Sequence, residues 1–137
     1  MTRILLGQIP TRVLNAAVET GAGVPIDVSN YDEITIQVFT TASATATIKF
    51  AVSLSQTKPN FGAAASATNV YDFVDITPLN NQATPIVGGT GIVLSGTDII
   101  KLYTIDTRFV KWICPVVTAY TQGSLNCELN AANNYTR

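Results

Sequence analysis

Thr45-Ala46-Thr47-Ile48-Lys49-Phe50-Ala51-Val52-Ser53-Leu54-Ser55 places Ala46, Ile48, Phe50, Val52 and Leu54 on one phase of a two-residue period. Thr45, Thr47, Lys49, Ala51, Ser53 and Ser55 fill the other phase. A β-strand turns successive side chains to opposite faces, so this stretch predicts a strand with one buried face. Upstream, residues 33–41 alternate in the same way, with Ile34, Ile36 and Val38 against Thr35 and Gln37. The short connection Thr41-Ala42-Ser43-Ala44 predicts an antiparallel hairpin. Near the C-terminus, Val110, Trp112, Cys114 and Val116 form one alternating run and Leu125, Cys127 and Leu129 another, predicting a second hairpin that turns at Thr121-Gln122-Gly123-Ser124.

Working outward, residues 70–76 and 99–106 read as strands, the first with a parity shift between Phe73 and Val74 that predicts a bulge. Ile86-Val87 and Ile92-Val93-Leu94 are short strands separated by Gly88-Gly89-Thr90-Gly91. Residues 13–18 and 24–28 are further strands, split by Gly21-Ala22-Gly23, although Leu14, Ala17 and Val18 also fit one helical turn. No βαβ spacing and no long repeat interrupts this series. The expected fold is therefore all-β: an antiparallel β-sandwich, jelly-roll-like, of about 8–10 short strands. Residues 1–12 are expected to form an N-terminal arm and residues 13–137 a single β-sandwich domain. Residues 56–68, Gln-Thr-Lys-Pro-Asn-Phe-Gly-Ala-Ala-Ala-Ser-Ala-Thr, read as a surface loop, mobile when free and ordered by a partner.

Composition narrows the function. The 137 residues are 47% apolar and only 12% charged, with a net charge of −1, which excludes a disordered chain and removes the basic footprint of a nucleic-acid binder. No nucleic-acid and no membrane partner is expected: no apolar run approaches the roughly 18 residues of a spanning helix. The opening Met1-Thr2-Arg3-Ile4-Leu5-Leu6-Gly7 is too short in its apolar part for a signal peptide, so synthesis in a host cytoplasm is expected. The chain contains no His, which excludes a Ser–His–Asp triad and His-ligated metal.

Each remaining chemical candidate has a structural alternative. On the predicted hairpin Cys114 and Cys127 are separated by about 13 Å, beyond disulfide reach, and read as small core residues without a His to activate them. Asp27, Asp32 and Glu33 lack the spacing of a calcium loop and, with Ser29 and Asn30, suit side-chain turns to their own backbone. Asp72 and Asp75 flank the predicted bulge and make no acid–base pair. Gly88-Gly89-Thr90-Gly91 lacks the Lys and the following helix of a phosphate loop. Of the aromatic residues that could stack on a sugar, Trp112 and Phe50 fall on core phases, while Phe39 breaks the parity of its strand and Phe61 sits in the long loop. Phe39 and Phe61 are accordingly the expected exposed contacts. No catalytic, cofactor or metal residue is expected, and no enzyme activity.

Residues 19–38, Glu-Thr-Gly-Ala-Gly-Val-Pro-Ile-Asp-Val-Ser-Asn-Tyr-Asp-Glu-Ile-Thr-Ile-Gln-Val, resemble the opening of small β-sandwich virion proteins of tailed bacteriophages, including capsid decoration proteins. Ser55-Gln56-Thr57-Lys58-Pro59-Asn60-Phe61, Val110-Lys111-Trp112-Ile113-Cys114 and Val117-Thr118-Ala119-Tyr120-Thr121-Gln122-Gly123-Ser124 are similar too, so that the resemblance spans roughly residues 19–130. The chain departs from that pattern with Asn30 in place of a usual glycine and with Pro115 inside a strand, where a missing N–H implies an edge or bulge. The resemblance implies a non-enzymatic structural protein of the virion, a capsid decoration or cement protein that binds the phage shell. Its partners would be itself, as a homotrimer, and the major capsid protein or another virion protein. The alternative is a tail or receptor-binding carbohydrate-binding module. Expected contact residues are Arg3, Ile4 and Leu5 of the arm, Phe39, and Lys58, Pro59, Asn60 and Phe61 of the long loop.

Overall fold

The computed structural model describes residues 3–7 and 10–136, with side chains from residue 10 to residue 132. Among the described residues there is no helix, and the strands form one antiparallel system. Two strands dominate it: β5 (Glu33–Ser53) and β10 (Trp112–Thr136), 21 and 25 residues long. They pair from Trp112 on Ser53 to Ala132 on Glu33. The remaining strands flank this ribbon: β1 (Arg3–Gly7), β2 (Thr11–Ala17), β3 (Gly21–Ala22) and β4 (Ile26–Asp27) along β10, and β6 (Asp72–Phe73), β8 (Ile92–Thr97) and β9 (Ile100–Asp106) along β5. The short β7 (Thr77–Pro78) adds to β9.

Both expected hairpins are corrected. Residues 33–41 and 45–53 are two halves of one strand, and so are residues 112–116 and 124–130. Where turns were expected, the long strands bend. Ala42 takes a left-handed φ of 58°, Asp98 between β8 and β9 one of 50°, and Gly123 of β10 one of 103°. The bends lie side by side, because Ser43 pairs with Thr97 and Thr41 with Ser124. Hydrogen bonds fasten the line: Ala42 N donates to Asp98 Oδ1 at 3.0 Å, Asp98 N to Ala42 O at 3.1 Å, and Ile99 N to Thr40 Oγ1 at 3.1 Å.

That line folds the system into two layers. The first sheet holds β2, the C-terminal half of β10, the N-terminal half of β5, β9 and β7. The second holds β3, β4, the N-terminal half of β10, the C-terminal half of β5, and β8. Ile34, Ile36 and Val38 from one half of β5 and Ala46, Ile48 and Phe50 from the other enter a single core with Ile92, Leu94, Ile105, Leu125 and Leu129. Strands that change sheet at a bulged corner are a recognised way to close a sandwich, and each large aliphatic side chain fully buried here contributes about 1.5–3 kcal/mol. The helical option for residues 13–18 gives way to β2, because Val13 and Leu14 have β10 to pack upon.

Pro115 lies inside β10, opposite Phe50 of β5. Its carbonyl accepts Gly23 N at 2.8 Å, on the side where the outer strand is broken between β3 and β4. In antiparallel pairing a residue's N and O face the same neighbour, so the missing N–H falls at that break. The expected strand over residues 70–76 contracts to β6 and an isolated bridge between Ile76 and Ile86.

Candidate functional site

The two sheets differ in what covers their outer faces. On the second sheet, Ala51, Cys114 and Val116 are roofed by Phe61, Tyr71, Phe73 and Trp112, a satellite of the main core. The loop that supplies this roof is tied internally by hydrogen bonds. Asn60 N donates to Asn69 Oδ1 and Asn69 Nδ2 to Asn60 O, both at 2.8 Å, while Tyr71 OH donates to Ala63 O at 2.6 Å. Trp112 Nε1 donates to Ser55 O at 3.0 Å, and the Phe61 and Tyr71 ring centroids are 5.3 Å apart.

This placement corrects two expected contacts. Phe61 is 4% exposed and Pro59 is also buried, because the apolar outer face of the second sheet offers them more burial than solvent would. Lys58 and Asn60 remain exposed at the rim, and all four residues line a recess of about 470 Å³ with Gly23 and Cys114. Arg3, Ile4 and Leu5 belong to β1, paired on the far end of β10, and their side chains lie outside the described residues. Thus the stretch expected as an arm contains β1 and the first residues of β2; Met1, Thr2, Gln8 and Ile9 within it also lie outside the described residues.

Phe39 stands elsewhere, on the outer face of the first sheet. Among the described residues no loop roofs this face. Register aligns Asn126, Phe39 and Ile100 in one row, Glu128, Gln37 and Leu102 in the next, and Asn130, Thr35 and Thr104 in a third. Ile100 is 70% and Leu102 42% exposed, and Leu79 beside β9 is exposed as well. Three grooves, of about 520, 270 and 280 Å³, adjoin one another through shared Ile100, Leu102 and Gln37.

The charges of this face cancel. Arg12 Nε donates to Glu128 Oε1 at 2.9 Å and Arg12 Nη1 to Asn126 Oδ1 at 3.1 Å, while the guanidinium lies 5.1 Å from the centroid of the Phe39 ring. Phe39 is therefore half-buried beneath Arg12 rather than free. Asn130 Oδ1, in the groove beside Gln37 and Leu102, is buried without a hydrogen-bond partner, so a donor brought by a contacting molecule would satisfy it. The arrangement offers apolar side chains, amides and hydroxyls side by side on one sheet face. Among the described residues no group of three or more Cys, Asp or Glu could hold a metal ion.

The carboxylates do what their spacing suggests. Asp27 Oδ1 accepts Ser29 N at 2.9 Å and Ser29 Oγ at 2.6 Å, and Lys111 Nζ stands 3.1 Å from Oδ2. These bonds, the Ser29 hydroxyl foremost, lower the Asp27 pKa to about 2. Asp106 is likewise lowered, first by its side-chain bond to Arg108. Both cysteines are free and buried; burial pushes the Cys114 thiol up to about 12 and raises that of Cys127 further. Instead of facing each other across a hairpin, both sit on the single strand β10, Cys114 under the roof and Cys127 in the main core.

Phe109 escaped the sequence reading. It is 92% exposed, with φ 68°, beyond β9. The signal was Asp106-Thr107-Arg108: Asp106 Oδ1 accepts Arg108 N, and that turn lifts the next side chain out of the strand phase.

This architecture has a solved counterpart. The chain shares its fold with the SPBc2 prophage-derived protein YomS. The crystal structure of that protein superposes with a TM-score of 0.68, covering 95% of this chain and 96% of that one, at 13% sequence identity. No protein-family model matches the sequence, and no curated protein matches it.

Proposed function

We propose that this chain is a non-enzymatic structural protein of a phage virion, a capsid-decorating or cement protein that attaches to the particle through the outer face of its first sheet. The observation that carries this reading is the difference between the two outer faces. The chain roofs one with its own loop and leaves on the other a neutral surface of Phe39, Ile100, Leu102, Gln37 and Asn130. A surface poor in charge is desolvated at modest cost and suits repeated close packing on a shell. The shared fold of a prophage-derived protein supports a phage origin.

Co-sedimentation with particles lacking the protein tests the reading. Wild-type protein pellets with the particles, whereas Ile100→Glu combined with Leu102→Glu stays folded and loses binding by roughly tenfold or more, since charges would be buried against an apolar contact. Retention of full binding by this variant overturns the assignment of the face. Absence of particle binding by the wild type, together with binding on a glycan array, would replace the reading by the carbohydrate-binding module.

A further inference from the structure

Every residue of β8 has its partner on β5, and among the described residues no strand lies along its other side. Alternate residues of such an edge direct N–H and C=O groups outward in the plane of the sheet, ready to pair with another strand. Natural edges are blunted by charge or proline, and Ile-Val-Leu-Ser-Gly-Thr has neither. Of the other strands with a single partner, β1 carries Arg3, β2 Arg12, β4 Asp27, β6 Asp72 and β7 Pro78, and β3, Gly21-Ala22, is blunted by being only two residues long.

We propose that β8 is a self-association edge, pairing antiparallel with β8 of a second copy about a two-fold axis and joining the second sheets of two molecules into one. A two-fold contact sets a strand against itself, so a charge on the axis would face its own counterpart and one beside the axis would stand close to it. On β8 that repulsion is absent. The pleat then dictates the register. Ile92 and Leu94 point into the core, while Val93, 59% exposed, and Ser95 point outward. Residues directly opposite one another share a face, so the axis passes through a residue and not between two. With Ser95 on the axis, Val93 meets the partner's Thr97 and Leu94 meets the partner's Gly96, which pairs the β-branched outward side chains. This contact is two-fold, in place of the three-fold arrangement expected from the resemblance, and it stands independently of the particle reading.

Sedimentation of the full chain tests it. Wild type sediments as a dimer whose dissociation follows concentration; Ser95→Lys sets two charges on the axis and sediments as a monomer with an unchanged far-UV spectrum. Gln122→Lys, in the same row two strands inward, leaves the dimer intact. Opposed Cα atoms about 4.5–5.5 Å apart lie within disulfide reach, so Ser95→Cys under mild oxidation gives a covalent dimer on a non-reducing gel. A monomeric wild type, an oligomer that Ser95→Lys leaves unchanged, or a Ser95→Cys protein that does not cross-link overturns the proposal.

Discussion

Asp27 shows how much a single side chain does here. Its carboxylate is held by Ser29 and Lys111, and its pKa falls from the ordinary 3.8 to about 2. A depressed carboxylate stabilises the fold fully above its unfolded pKa and loses that contribution as pH falls through the folded value, so the loss belongs to the window from about 4 down to 2. Because the side chain is 44% exposed, the effect on stability is small, and the direct measurement is a carboxyl NMR titration. Ser29→Ala should move the Asp27 midpoint upward toward 3.8. At Cys114 and Cys127, burial leaves both thiols protonated at neutral pH: iodoacetamide should label neither in the native protein and both after denaturation without reductant, as counted by mass spectrometry. Phe61 carries a third expectation. As a roof residue rather than an exposed contact, Phe61→Ala should destabilise the protein by about 3 kcal/mol in denaturant melts.

At the scale of the element, the bends of β5 and β10 carry opposite demands on one line. Gly123 at φ 103° faces Ala44 so closely that an added Cβ would stand 2.6 Å from the Ala44 Cβ. Gly123→Val should therefore force the corner open and lower the denaturation midpoint strongly. Ala42 at φ 58° is an alanine where glycine is at ease. Ala42→Gly relieves about 1–2 kcal/mol of left-handed strain and adds about 0.5–1 kcal/mol of unfolded-state entropy, so it should stabilise slightly. Urea melts that place the two variants on the same side of wild type would refute this account of the fold line. The corner also explains the failure of the hairpin reading. Ile34, Ile36 and Val38 keep the same phase as Ala44, Ala46 and Ile48, and an interruption that preserves phase suits a bulge as well as a turn. Thr41-Ala42-Ser43-Ala44 has no Asn-Gly or Asp-Gly pair to decide for the turn.

For the molecule as a whole, replacing two local hairpins by one long pairing changes the folding problem. Trp112 pairs with Ser53 and Ala132 with Glu33, contacts distant along the chain, whose closure entropy is met before they yield stability. Refolding followed by Trp112 fluorescence should run on the millisecond-to-second scale typical of all-β domains, and a microsecond phase that completes folding would contradict the topology. The two-residue period determined by itself that the chain is all-β and that Ile34, Ile36, Val38, Ala46, Ile48 and Phe50 share the core face, because strand geometry ties face to sequence parity. On the N-terminal half of β10 parity chose the wrong face: Trp112, Cys114 and Val116, expected on the core phase, lie under the roof while Ile113 and Val117 enter the main core, and Leu54, expected inward, is exposed. With no His in the sequence, a Ser–His–Asp triad and a His-ligated metal cannot be built from its residues. The partner of each strand was decided only in three dimensions, since parity says which side chains share a face and nothing about what is opposite. The same holds for the site. The sequence marked Phe39 and Phe61 alike as apolar residues outside the core phase, and tertiary structure covered one with Arg12 and sank the other beneath its own loop. Burial depends on whatever surface the fold brings near, and for Phe61 that surface is Cys114 and Val116 on a strand some fifty residues away.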